Sequence, residues 1–232
     1  MNVVARPPLS QLLRESTREV HERVEQASDL NRWIVVRIPS APAPATAAEA
    51  EARARARADY RIVYREFLLA AHGFEAAAHA SLATSPAREE AMAAGWEDES
   101  PPASELIRTD LVRAFGAGAA DGLPVAPGLP QPRTLAEFAG LEYVRRGSRA
   151  GAAVIGAVVA HNLGLGREDG AGFLLRYGRG TRAVLDALRS WLDGLGLDEA
   201  GMRAATASAA ATFAAVENWH RSLDGSAPRL GR

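Results

Sequence analysis

Arg14, Arg18, His21 and Glu25 stand at spacings of four, three and four, so a helix over this stretch turns all four side chains to one side. An imidazole with a carboxylate one turn further on can be fixed in a single tautomer by a hydrogen bond from one ring nitrogen, which leaves the other nitrogen to bind a metal. Two guanidinium groups, one and two turns earlier, can clamp carboxylates carried by the same ligand. The row also has a plainer reading, in which His21 is a half-buried histidine on a salt-bridged helix.

The element that must carry this row is well marked. Pro7 and Pro8 precede it and Ser10 is placed to cap it. Leu13, Thr17, Val20 and Val24 recur every three to four residues and supply a packing face beside the polar row.

A second chemical stretch lies far downstream. Thr134 and Glu137 form a capping box, which predicts a helix from Leu135 running through Tyr143, Arg145, Arg146, Gly147, Ser148, Arg149 and Gly151 towards Ala160. Each glycine inside a helix costs about 1 kcal/mol relative to alanine, so Gly147, Gly151 and Gly156 require a reason. Gly147 and Gly151 share a face and admit a close approach to the backbone, by a second helix or by a ligand. The arginines at 145, 146 and 149 exclude a membrane dimer motif.

A neutral imidazole flanked by arginines is what a haem needs, an axial nitrogen for the iron and cations for the propionates. The segment Leu13 to Glu25, LRESTREVHERVE, resembles the proximal helix of the haem oxygenases in its order of a basic residue, a threonine, a second basic residue and the axial histidine. The string Tyr143 to Ala153, YVRRGSRAGAA, is similar to the distal helix of the bacterial members, which typically reads YVxxGSxLG followed by small residues. The resemblance implies His21 as axial iron ligand, Glu25 as partner of its imidazole, and Arg14, Arg18 and Tyr143 as propionate contacts. It further implies a distal pocket of Gly147, Ser148 and Gly151.

The fold so implied is all-α, a single haem oxygenase-like bundle over residues 1–232 with a Pro/Ala-rich flexible insertion at 39–59 and a tail at 226–232. The activity implied is oxidative opening of haem to biliverdin, carbon monoxide and iron, with haem both cofactor and substrate. Electrons would come from a ferredoxin or a reductase, docked on the basic residues Arg14, Arg18 and Arg145 to Arg149. Three departures stand against the family pattern: Ala150 in place of leucine, the longer Pro/Ala insertion, and His72 where an aromatic often precedes the Gly-Phe pair. They leave room for a haem carrier or sensor without turnover, or for an interaction protein on the same fold.

Composition agrees with a helical protein. Alanine is abundant, β-branched residues are few, and 47% hydrophobic content in 232 residues is enough for a substantial core. A formal charge of -1 gives no sign of a nucleic-acid or membrane partner. The absence of cysteine excludes disulfides, thiolate metal sites and catalytic thiols. No charged start followed by an apolar run suggests a signal peptide, and the apolar run Ala150 to Ala160 is too short to span a bilayer, so a cytoplasmic location is the expectation.

Between the two motifs the sequence predicts helices over Tyr60 to Leu82 and Glu105 to Phe115, separated by a linker from Ser85 to Pro102 that holds Trp96 and the acidic run Glu97 to Glu99. Helices over Thr181 to Leu192 and Ala204 to Leu223 complete the chain. His72 and His79 read as surface or core histidines and His161 as a cap at a helix end, while the sequence assigns no role to His220.

Overall fold

The computed structural model describes residues 6–39 and 46–224. Nine α-helices carry the described chain: α1 (Leu9–Gln26), α2 (Asp29–Trp33), α3 (Ala47–Ala83), α4 (Arg88–Ala93), α5 (Ala103–Phe115), α6 (Leu135–Gly147), α7 (Arg149–Leu163), α8 (Thr181–Gly194) and α9 (Glu199–Asp224). No strand occurs among the described residues, in agreement with the all-α expectation.

Helix α1 buries the expected stripe, Leu13, Thr17, Val20 and Val24, together with Leu9. Its N-cap is Pro8 rather than Ser10. Ser10 lies inside the first turn, where its backbone N–H and its hydroxyl donate to the two carboxylate oxygens of Asp193, at 2.8 and 2.9 Å, tying α1 to the end of α8.

The expectation of a flexible insertion over 39–59 is corrected in its second half. Thr46 accepts a hydrogen bond from the Glu49 N–H, and α3 starts at Ala47, because Glu49 to Asp59 consists of strong helix formers. Residues 40–45 and the expected tail lie outside the described residues. The linker from Ser85 to Pro102 is likewise more ordered than expected. It holds α4, and Trp96 is buried against Phe138 with ring centroids 5.0 Å apart.

Two hydrophobic cores result. The first gathers Leu13, Val20 and Val24 of α1 with Phe138, Leu141 and Val144 of α6 and Phe213 and Val216 of α9. The second gathers Tyr60, Tyr64 and Leu68 of α3 with Ile107 and Leu111 of α5 and Val158 and Val159 of α7. Each fully buried aliphatic or aromatic side chain contributes about 1.5–3 kcal/mol, so both cores are substantial. Helix α3 passes through both cores, whereas α6 belongs to the first and α7 to the second.

The passage between the cores is the Gly147–Ser148 junction. The single helix expected from Leu135 towards Ala160 is divided there, with Ser148 at φ -58° and ψ -20° between α6 and α7. The backbone stays in the right-handed helical region, and the Ser148 hydroxyl donates to the Arg145 carbonyl at 2.7 Å. A glycine followed by a serine that bonds back onto its own helix is a recognised cause of a kink. The capping box at Thr134 and Glu137 is present as expected and fixes where α6 starts.

Candidate functional site

On α1 the His21 side chain is 51% exposed, and its Nδ1 lies 3.6 Å from Glu25 Oε1. That separation exceeds a good hydrogen bond, so the carboxylate stands beside the imidazole without locking it. The opposite support is Phe213 of α9, which meets the His21 ring edge-on at 5.5 Å and 87°. Arg14 and Arg18 are exposed, and neither forms an ion pair among the described residues. All four members of the row therefore face outward from a helix whose other face is buried in the first core.

The glycines of α6 and α7 divide into two kinds. A Cβ on Gly140 would collide with the Ala205 carbonyl of α9 and come within 2.8 Å of Ser208 Cβ, and one on Gly156 would come within 2.7 Å of Leu175 Cδ2. These two serve close packing. A Cβ on Gly147 or Gly151 would meet nothing within 4 Å. Neither has a positive φ, so neither conformational need nor a neighbouring helix accounts for them. Of the two explanations left open by the spacing, close helix crossing is removed for Gly147 and Gly151.

Ser148 is exposed, with its hydroxyl turned back onto the main chain. Tyr143 is half-buried against the first core, the same core that holds Val20, Val24 and Phe213 around His21. The α1 row and the α6 end of the glycine stretch thus share a foundation, whereas Gly151 lies on α7, which packs in the second core. No hydrogen bond or ion pair joins His21 directly to Gly147, Ser148 or Gly151 among the described residues.

The basic docking surface expected at Arg145 to Arg149 is overturned. Arg145 and Arg149 are 1% and 2% exposed, and they sit in an ion cluster between the two cores. Positions 145 and 149 lie about 200° around the helix from 147 and 151, so the cluster grips the face opposite the open glycines. Arg145 donates from Nε and Nη2 to Glu142 at 2.7 and 3.0 Å, and Trp96 donates to the same carboxylate at 2.8 Å. Arg149 donates to Glu75 of α3. One oxygen, Glu99 Oε2, accepts from Arg145 Nη1 at 3.1 Å and from Arg149 Nη2 at 3.2 Å, while Glu99 Oε1 accepts from the Tyr177 hydroxyl at 2.6 Å.

Burial pushes the Glu99 carboxyl upward, but Arg149, Arg145, the Tyr177 hydroxyl and Arg176 outweigh it and hold it down at about 2. Burial acts the same way on Glu142, and Arg145 and Arg146 again reverse it, leaving that carboxyl below its ordinary range. For Arg149 burial opposes the charge and Glu75 and Glu99 restore it, so the guanidinium is more firmly protonated than usual.

Glu75, Glu99, Glu142, Trp96 and Tyr177 were not singled out as site residues from the sequence. A signal existed for Glu75, which is the only formally charged residue between Glu66 and Arg88. A lone charge in so apolar a helix needs a buried partner. The four remaining histidines each have a polar neighbour: His72 Nδ1 lies 3.2 Å from the Pro124 carbonyl, His79 Nδ1 lies 4.0 Å from Asp98 Oδ1, His161 Nε2 lies 2.9 Å from the Ile38 carbonyl, and His220 Nδ1 lies 3.2 Å from Asn31 Nδ2. Among the described residues no three His, Asp or Glu side chains converge on a metal position, so a lone axial imidazole would need a macrocycle to supply the other ligands. No described helix is long and apolar enough to cross a membrane.

No protein-family model and no curated protein sequence matches the chain. Solved structures do. Haem oxygenase-1 of the cyanobacterium Synechocystis sp. PCC6803, solved in complex with haem, superposes with a TM-score of 0.68 at 13% identity over 95% of this chain and 94% of that one. Haem oxygenase-2 of Synechocystis sp. PCC 6803, solved with haem and NO, gives a TM-score of 0.67 at 16% identity over 95% of this chain and 86% of that one. The chain therefore has the fold of the haem oxygenases.

Proposed function

We propose that this protein is a haem oxygenase that opens haem to biliverdin, carbon monoxide and iron with dioxygen and externally supplied electrons. The observation that carries the reading is the pair Gly147 and Gly151, helical glycines that pack against nothing, on a kinked helix of a fold shared with two haem-bound oxygenases. The donor set fits the group. His21 is accessible, a carboxylate stands on its Nδ1 side, and two exposed guanidiniums, Arg14 and Arg18, precede it on the same side of α1.

Haem, when bound, supplies the iron that takes up dioxygen and the meso carbon that is oxidised. His21 would hold the iron through Nε2, with Glu25 orienting the imidazole from Nδ1. Phe213 limits the tilt of the ring from beneath. Arg14, Arg18 and Tyr143 would hold the propionates and so fix the rotation of the macrocycle, which selects the carbon that is cut. On the other face Gly147 and Gly151 present bare main chain, and the Ser148 hydroxyl is already committed to Arg145. Bare main chain, rather than a hydrogen bond from a distal side chain, would then line that side of the group and limit the space there.

The electron donor would be a ferredoxin or a reductase. Its docking surface is restricted to the exposed arginines of α1, since Arg145 and Arg149 are enclosed. The test is titration with haemin, followed by turnover with ascorbate or a ferredoxin and its reductase. The reading expects a Soret band at one haem per chain that decays as biliverdin absorption and carbon monoxide appear. A Soret band that survives reductant and air unchanged would make the protein a haem carrier or sensor instead.

A further inference from the structure

The ion cluster beneath the Gly147–Ser148 junction is built across the kink. Arg145 lies before the junction and Arg149 after it, and the two guanidiniums repel one another. Glu142 does not join the two sides, because the arginines it pairs with, Arg145 and Arg146, both lie on α6. Glu75 reaches both, bonded to Arg149 but 3.8 Å from Arg145. Glu99 bonds both arginines through a single oxygen atom. It is also the one member of the three carboxylates that comes from a loop, between α4 and α5, and it is held there by Tyr177 and by Arg176, 3.6 Å away.

We propose that Glu99 is a positioning residue for the glycine face of α6 and α7, fixing the angle of the Gly147–Ser148 kink by bridging Arg145 and Arg149 from behind. The inference rests on the haem reading for its consequence: the kink sets how closely the Gly147 and Gly151 main chain approaches a ligand on the open side. Four guanidiniums, Arg145, Arg146, Arg149 and Arg176, share three carboxylates, Glu75, Glu99 and Glu142. Neutralising Glu99 leaves two carboxylates for the four, and the repulsion between Arg145 and Arg149 then acts directly on the junction. An amide in place of the carboxylate keeps the shape and removes the charge, so Glu99→Gln isolates the bridge from the volume.

Two measurements separate this role from a merely structural one. In the protein without haemin, Glu99→Gln is expected to raise amide hydrogen exchange over residues 146–152 at least tenfold relative to α9, and Glu99→Asp to restore part of the protection. In the ferrous haem complex, carbon monoxide release is expected to change at least threefold with a shifted carbon monoxide stretching band. Tyr177→Phe, which removes one hydrogen bond to Glu99 and no charge, is expected to move both readouts the same way by a smaller factor. It also serves if Glu99→Gln does not fold. Unchanged exchange in the folded variants overturns the inference. So does faster exchange with carbon monoxide release and its band unmoved, since Glu99 would then support the fold and not the ligand side. If the wild-type protein takes up no haemin, the haem reading falls and the inference with it; normal uptake with unmoved readouts overturns the inference alone.

Discussion

The two helices that would face a haem are held in opposite ways. The row on α1 stands on the surface, with His21 half exposed, Glu25 near it but not locked to it, and Arg14 and Arg18 without ion pairs among the described residues. The kink between α6 and α7 is gripped from behind by a buried lattice of guanidiniums and carboxylates spread over α3, α6, α7 and two loops. Under the proposed haem reading the difference has a use: main chain that lines the distal side would be rigid before a ligand arrives, whereas His21, Arg14 and Arg18 would be ordered by the haem itself.

That contrast is broken most readily by Arg149→Ala. It leaves Glu75 and Glu99 short of a partner in a dry interior, and a loss of about 3–5 kcal/mol is expected in chemical denaturation. His21→Ala, on the exposed row, is expected to stay within about 1 kcal/mol of wild type. Equal losses at the two positions would erase the distinction.

Acid is the next lever. Glu99 has a folded value of about 2, below its ordinary 4.5, so its contribution is fully present above the ordinary value and is lost as the pH falls from about 4.5 towards 2. The contribution is on the order of 3 kcal/mol. Wild type should destabilise steeply across that window, and Glu99→Gln should start from a lower stability and show a shallower acid slope.

The glycines give a smaller and more pointed contrast. Gly140→Ala drives a methyl group into the Ala205 carbonyl and should cost about 1–3 kcal/mol, while Gly147→Ala meets open space and should be neutral or stabilising by up to about 1 kcal/mol. The same Gly147→Ala should nevertheless weaken haemin retention, measured by transfer to apomyoglobin. The smallest stability effect is expected for Arg14→Glu and Arg18→Glu, within about 0.5 kcal/mol. These variants should slow haemin uptake several-fold at low salt and less at high salt.

The α1 row was legible because a surface helix carries its chemistry and its packing stripe in one periodicity, and Leu13, Thr17, Val20 and Val24 are buried as that periodicity required. The capping box at Thr134 was legible for the same local reason. The ion cluster was not, since Glu75, Glu99 and Arg149 are brought together from far apart in the chain and only the fold supplies the pairing. Arg145 and Arg149 looked like surface charge because nothing in an isolated helix shows which side will meet α3. The division of the helix at Ser148 was legible only in part: Gly147 stands out in the sequence, but the back-bonded Ser148 hydroxyl reads there as an ordinary helical serine.

The central claim, that one imidazole on an exposed helix holds haem iron, is tested most directly by the ferric absorption and electron paramagnetic resonance spectra of the haemin complex of wild type and His21→Ala. The account predicts that the alanine variant loses the axial nitrogen signature and that added imidazole restores it. A nitrogen-ligated ferric spectrum in His21→Ala identical to that of wild type, with no added imidazole, would contradict it.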